Sequence, residues 1–432
     1  MKKTFRYYYL PLTDLLIDDK EKSIITIFLT KILQKYQYIK PSNFTNGFDF
    51  NYTIDGVYTP MYDSIVIFNS EYRFYKLIKI LIDNDYIVRV YDNIKKTKYN
   101  TTPQFYRPTN KLLNIKKQYR QAKENSFEYN LLLKCFNAKK ENFGKYYFVY
   151  ENISNLNINI TREEFIYEMS INYNHYKENK INTESKYLLK KEYIKAQLLT
   201  NYKSIIKWNN SNYTERIEMI SYNNLDEDLY YGKKLVKKKS FSRRFYSIFS
   251  YIPNSLRKYI TFNEMVKFDI AQSQPSFLAK LLLDKNIVGD YIKDINSGDD
   301  IYTKMGMYND RKLNKILFFE NIYCNPVYGG KLNDKHINFS INYEKEATYI
   351  FKIKTQKNNL KKNYSILSQI ITELECKAFH KIWIELKNHN IPFIPIHDEI
   401  IISEKNKIKA FDIMYNILQE ELNGINFNIN EK

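Results

Sequence analysis

Apolar residues recur along the chain with two different periods. From Ile24 to Tyr36, and from Glu71 to Asp83 through Tyr75, Leu77, Ile78, Ile80 and Leu81, the spacing is helical. Tyr86 to Tyr91 is a β-prone run that predicts a strand. A polar, basic stretch from Asp92 to Pro103 follows, and then a second short run, Gln104 to Arg107. Residues 109–230 read as mainly helical and rich in Lys and Asn, with a dense basic stretch from Lys116 to Lys123. The polar, acidic segment Asn223 to Asp228 predicts a boundary. Beyond it, Met265 to Ile270 predicts a strand ending near Asp269, and Phe277, Leu278, Leu281 and Leu282 mark the helix that follows. A long helix is expected from Tyr364 to His389. The apolar runs Ile391–Ile396 and Ile400–Ile402 flank the charged tip His397-Asp398-Glu399, the pattern of a hairpin.

Helix, strand, basic turn and strand over 70–108 is the order in which a winged helix ends, although a generic α+β subdomain has the same order. The length, 432 residues, implies two to four domains, and a hydrophobic share of 44% allows a sizeable core. Three widely spaced cysteines, Cys135, Cys324 and Cys376, exclude a disulfide scaffold and a Cys-rich zinc module, and fit a reducing compartment. No apolar run reaches the roughly 18 residues of a membrane span. Residues Met1 to Arg6 are basic but lack the apolar stretch of a secretory signal, so a cytoplasmic location is expected and no membrane partner.

Charge changes the picture. With 67 Lys and Arg against 48 Asp and Glu, the formal net charge is +19, which points to a polyanionic partner, nucleic acid first. AT-rich coding would also enrich Lys, Asn, Ile and the 41 Tyr. Lys233 to Lys258 holds nine basic residues and no acidic one. Its interleaved Phe241, Phe245, Tyr246, Phe249 and Tyr251 favour a nucleic-acid groove over a plain solvated face.

Three segments carry candidate chemistry. Asp269 ends a strand, where an acid suits a metal ligand, although many such acids are helix caps. Arg311, Lys315, Phe319 and Tyr323 stand four apart and share one face of a helix, two cations followed by two aromatics. That order suits a nucleoside triphosphate, with phosphates at one end and base or sugar at the other. Asp398 sits at the hairpin tip. Two carboxylates from separate strands can hold two divalent cations about 3.5–4 Å apart for an in-line displacement.

In order and spacing these segments resemble the family A (Pol I-like) DNA polymerases and the related single-subunit phage-type RNA polymerases. Asp269 and His397-Asp398-Glu399 are similar to the two metal-binding motifs, and the Arg311 to Tyr323 stripe to the fingers helix. Gly298-Asp299-Asp300-Ile301-Tyr302 is similar to a fingers segment, and Ser242-Arg243-Arg244-Phe245-Tyr246 to one that contacts primer–template. The resemblance covers about residues 230–425. It implies a right-hand α+β fold, with a palm from 230 to 432 and fingers inserted at about 285–365; the helical stretch 109–229 would then be thumb-like, and 1–108 is read from its own element order as a winged-helix-like accessory domain. It also implies template-directed nucleotidyl transfer, DNA primer–template and dNTPs as partners, and two Mg²⁺ ions, with Mn²⁺ as a substitute. The metal ligands would be Asp269, Asp398 and the backbone of Ile270. Arg311, Lys315, Phe319, Tyr323, Gln274 and Tyr302 would bind the nucleotide, Lys315 doubling as proton donor. Arg243, Arg244, Gln369 and His397 would meet primer–template.

The chain departs from the family at four points. Cys324 replaces a Gly, Tyr302 a His, and Gln274 the Glu that excludes ribose, while the span from Asp269 to Asp398 is short. No Asp-x-Glu on an apolar strand marks a proofreading exonuclease in 1–220, as in a small polymerase of a phage or mobile element. An RNA polymerase or primase on the same fold stays open, as does a non-catalytic basic DNA-binding protein.

Overall fold

The computed structural model describes residues 3–36, 57–58, 71–90, 105–178, 201–220, 230–231, 234–235, 244–262, 264–305, 311–328, 331–355 and 366–432. Two hydrophobic cores organise them. The smaller gathers Leu10 to Leu33, Leu77 to Ile87, Tyr106, Leu112, Leu131 and Cys135. Strand β1 (Arg6–Tyr9) leads to helix α1 (Asp19–Tyr36), whose Asp19 and Glu21 favour the positive end of the helix dipole. Asp18 caps that end, accepting from the Glu21 N–H at 2.7 Å. Ile25, Ile27, Phe28, Leu29 and Ile32 are all fully buried, so α1 is enclosed by the elements around it. Those include the sheet of β2 (Val57–Tyr58), β4 (Phe105–Pro108) and β3 (Ile87–Val90), with helix α2 (Glu71–Asp83) feeding β3.

The expectation of helix through 109–230 fails at β5 (Gln118–Gln121), which pairs antiparallel with β1. All four residues of β5 are exposed, so no local apolar period announces it. Its pairing comes from a strand over a hundred positions away, and the Arg120 guanidinium lies 3.7 Å from the Tyr9 ring centroid. Helix α3 (Phe127–Phe143) reaches both cores: Leu131 and Cys135 enter the smaller, Phe136 and Phe143 the larger.

The larger core surrounds a four-stranded antiparallel sheet of β6 (Met265–Ile270), β7 (Phe393–Ile396), β8 (Glu399–Ser403) and β9 (Ile429–Glu431), in the order β7-β8-β6-β9. Strand alternation turns Val266, Phe268 and Ile270 into the core. There Phe268 meets Phe411 of helix α11 (Lys407–Glu421) edge-on at 5.7 Å. Strand β7 is buried along its length and β8 through Ile400–Ile402, and Phe148 of helix α4 (Tyr147–Ile153) packs 6.2 Å from Phe393 on β7. The helices of this half that position the site are α6 (Ser273–Asp284), α8 (Arg311–Tyr323), α10 (Ile366–Asn388) and α11 (Lys407–Glu421), with α5 (Arg162–Glu178), α7 (Asp290–Ser297) and α9 (Glu344–Thr355) at their margins. Among the described residues no helix is long and apolar enough to cross a membrane.

The basic, aromatic run also needs correction. Phe245 and Phe249 are core residues, 2% and 0% exposed, and cannot line a groove. Phe241 and Lys233 lie outside the described residues, as do Lys237 to Lys239.

Candidate active site

Asp269 is the fifth residue of β6, on the face opposite Phe268 and Ile270. It stands directly across from Glu399 on β8 and Asn430 on β9. Residues so opposed share a face, with Cα atoms about 4.5–5.5 Å apart. Asp398 comes immediately before Glu399 in a two-residue turn, made possible by the left-handed backbone of His397 (φ 55°). One end of the sheet therefore carries Asp269, Asp398 and Glu399.

Their partners differ. Asp269 Oδ2 accepts from Lys432 Nζ at 2.6 Å, while Asp269 Oδ1 is buried with no hydrogen-bond partner. Glu399 Oε1 accepts from Arg257 Nη1 at 2.6 Å. Burial pushes the Glu399 carboxyl up, and the Arg257 and Lys267 cations pull it back. His397 is held below the usual imidazole range by burial and by the Arg244 cation, so it is neutral at pH 7.

The connection after β6 links this edge to the helices. Gln272, left-handed at φ 57°, precedes α6. Its Oε1 accepts from the Ile301 N–H at 2.7 Å and its Nε2 donates to the Asp299 carbonyl at 3.0 Å. Asp300 accepts from the Tyr302 N–H at 3.0 Å. These bonds fix the 299–302 segment beside the turn after Asp269. Next comes a buried polar chain. Glu375 of α10, 1% exposed, is paired with Arg244 and accepts from Ser273 Oγ at 3.0 Å and from Gln274 Nε2 at 3.4 Å. Gln274 Oε1 in turn accepts from the Tyr323 hydroxyl at 2.5 Å. Burial raises the Glu375 carboxyl, Arg244 lowers it, and the negative charge of Asp398 raises it again.

Helix α8 lies over this chain. Its stripe grades from exposed Arg311 and Lys315 to half-buried Phe319 and Tyr323. Phe319 and Tyr323 stack at 5.8 Å, 5° from parallel. Tyr302, 2% exposed, sits beneath the stripe, with Arg311 at 5.1 Å, Lys315 at 5.7 Å and the Phe319 ring at 6.0 Å from its ring. Burial raises the Tyr302 hydroxyl, Arg311 lowers it, and Asp398 raises it. Arg311 Nε is engaged by Asp300. Lys354, 3% exposed, closes the far end of α8, donating to the carbonyls of Ile322 and, at 3.0 Å, Cys324.

Sequence-predicted site residues thus converge at one place: Asp269, Asp398, His397, Gln274, Arg244, Tyr302, Arg311, Lys315, Phe319 and Tyr323. Ile270 lies in the β6–β9 ladder opposite Ile429, with its side chain in the core. Gln369 is half-buried in the first turns of α10, well before Glu375. Arg243 lies outside the described residues. Glu375, Gln272, Arg257 and Lys432 went unpredicted. Glu375 alone had a signal, since it falls on the apolar stripe Ile371, Phe379, Ile382 of α10 at helical spacing. A lone acid there implies a buried partner.

These residues fit a divalent cation on one specific ground, the buried and unpartnered Asp269 Oδ1 on the strand position facing Glu399, at the end of the sheet where Asp398 forms the turn. Among the described residues no three His, Cys, Asp or Glu side chains cluster as a complete metal cage. Such a site suits Mg²⁺, which keeps several waters and takes one or two carboxylates plus substrate phosphates.

No family model matches the chain, and no curated protein sequence does. Among solved structures it is similar to the polymerase domain of Pol1 from M. smegmatis, solved with DNA primer–template and dNTP. The TM-score is 0.37 at 12% identity, and the likeness covers 44% of this chain and 45% of that one. The match spans less than half of either chain.

Proposed function

We propose that this chain is a template-directed nucleotidyltransferase that extends DNA with dNTPs. The observation that carries the reading is the 2.5 Å bond from Tyr323 to Gln274, which docks the Arg311 to Tyr323 stripe onto the first turn of α6, a few residues past Asp269. It sets a cation-and-aromatic helix over a pair of acidic strand ends, the juxtaposition that a triphosphate and its metal ions require.

Asp269 and Asp398 would hold two Mg²⁺ ions, with the Ile270 carbonyl as a further ligand. With metal bound, the chemistry supplied is activation of the attacking hydroxyl and charge stabilisation on the leaving pyrophosphate. Arg311 and Lys315 bind the phosphates, Arg311 exchanging Asp300 for a phosphate oxygen in a charge-assisted contact. Lys315 hands a proton to the departing pyrophosphate. Phe319, Tyr323 and Tyr302 enclose the base and sugar. Arg244 and His397 border the primer–template side, with Gln369 of α10 as a further contact.

Sugar choice follows from Gln274. Its oxygen is taken by Tyr323 and its amide by Glu375, which leaves it poorly placed to welcome a ribose hydroxyl and favours exclusion by bulk. Primer extension with dNTPs and NTPs in parallel tests the reading. Wild type should extend with dNTPs in a metal-dependent way, and Asp269→Ala and Asp398→Ala should retain no more than a few per cent of turnover. Full turnover in either variant refutes the two-carboxylate assignment, and a preference for NTPs transfers the protein to RNA synthesis or priming.

A further inference from the structure

Three aromatic rings run in series from the catalytic turn to the surface. His397, next to Asp398, meets the Tyr246 ring at 5.2 Å and 65°. Tyr246 lies 6.1 Å from Tyr251 at 18°, nearly parallel. Tyr251 ends the short helix Ile248–Tyr251 and is 61% exposed. In the same segment Phe245 and Phe249 anchor the backbone in the core, so the two tyrosines are held on the opposite, outer side. The outer end of the series is a bare aromatic face within the basic run Lys233 to Lys258, on a chain of net charge +19.

We propose that Tyr246 and Tyr251 form a stacking platform for a nucleobase of the strand whose end lies at the Asp269–Asp398 edge. The identity of that strand rests on the nucleotidyl-transfer reading, whereas the stacking itself does not. A nucleobase continues the series as a further parallel ring, and the strand's phosphates meet the positive charge of the chain. A face of this kind tolerates any base, because every base offers a π surface. It gives the protein a grip near the reacting end that is independent of sequence and of bound metal. The burial of Phe245 and Phe249 fixes the backbone that carries the two rings, which lowers the cost of presenting them to a base.

The test uses the whole chain, without metal or nucleotide, and DNA strands carrying 2-aminopurine within the last few positions of the primer end. Wild type and Tyr251→Phe should quench the 2-aminopurine fluorescence on binding. Tyr251→Ala, a change at an exposed position, should lose the quenching and bind about five- to a hundredfold more weakly, as one lost base–aromatic stack requires. Quenching and affinity equal to wild type in Tyr251→Ala overturn the platform, as does an absence of quenching in wild type. Metal-dependent extension, measured separately, tells the two ideas apart. Stacking without extension leaves the platform standing and removes the polymerase reading; extension with unquenched 2-aminopurine does the reverse.

Discussion

Removing one hydroxyl should loosen helix α8 from helix α6. In Tyr323→Phe the ring keeps its stack on Phe319, 5.8 Å away, so packing is unchanged and only the 2.5 Å bond to Gln274 is lost. A net neutral hydrogen bond contributes about 1 kcal/mol, and an abandoned buried acceptor costs ~1–3 kcal/mol. Gln274 is half-buried, so water partly replaces the lost donor and the low end applies, about 1–1.5 kcal/mol. A chain with two cores is poorly described by one unfolding free energy, so the suitable assay is native-state hydrogen exchange of the amides in Phe318–Tyr323. Their exchange should quicken about tenfold, since 1.4 kcal/mol is a factor of ten. Gln274→Met should do at least as much, since it also drops the 3.4 Å contact to Glu375, and the double variant no more than Gln274→Met alone, giving a coupling energy near 1 kcal/mol. Two effects that multiply to about a hundredfold would mean that the residues act independently, and the docking argument would be wrong.

Four further outcomes are expected. Glu375→Ala strands the Arg244 cation and should lower apparent stability by about 3 kcal/mol, less than a wholly buried pair because Arg244 keeps some solvent contact, whereas Glu375→Gln should lose less; equal melting temperatures for wild type and both variants would contradict this. Lys432→Ala frees Asp269 Oδ2 and should tighten Mn²⁺ binding about two- to fivefold, read by electron paramagnetic resonance of the metal alone, and an unchanged affinity would show that the ammonium does not compete. Gln274→Gly should raise ribonucleotide incorporation by about an order of magnitude, as loss of a blocking side chain requires, and unchanged sugar choice would refute the steric account. Burial holds the Lys354 ammonium down to about 8, so between that pH and about 10.5 the unfolded chain binds more protons and stability rises with pH. Relative to Lys354→Met, wild type should therefore gain up to about 3 kcal/mol across that window and nothing below it, and a pH-independent gap in thermal denaturation would reject the burial argument.

Elements whose apolar residues keep one period were legible from sequence. The strand Met265–Ile270 and the helices Glu71–Asp83 and Arg311–Tyr323 lie where the pattern puts them, and the hairpin around His397 and Asp398 forms as expected. In each, the alternation that faces the core is a local property, repeated every two residues or every 3.6. Net charge and the candidate carboxylates were equally open to inspection. The rest was decided in three dimensions. Gln118–Gln121 becomes a strand because Arg6–Tyr9 offers a ladder, and its own exposed residues carry no signal. Phe245 and Tyr246 are neighbours among the aromatics of one basic run, yet packing buries the first and leaves the second beside His397. Tyr302 and Tyr323 stand alike in the sequence as residues of one nucleotide pocket; the docking of α8 bonds Tyr323 to Gln274 and presses Tyr302 underneath. The pairings of Glu375 with Arg244, Glu399 with Arg257 and Asp269 with Lys432 join residues more than a hundred positions apart. A charge seeks compensation wherever the folded chain brings it, and that location belongs to the tertiary structure because it depends on distance in space, which periodicity along the chain does not encode.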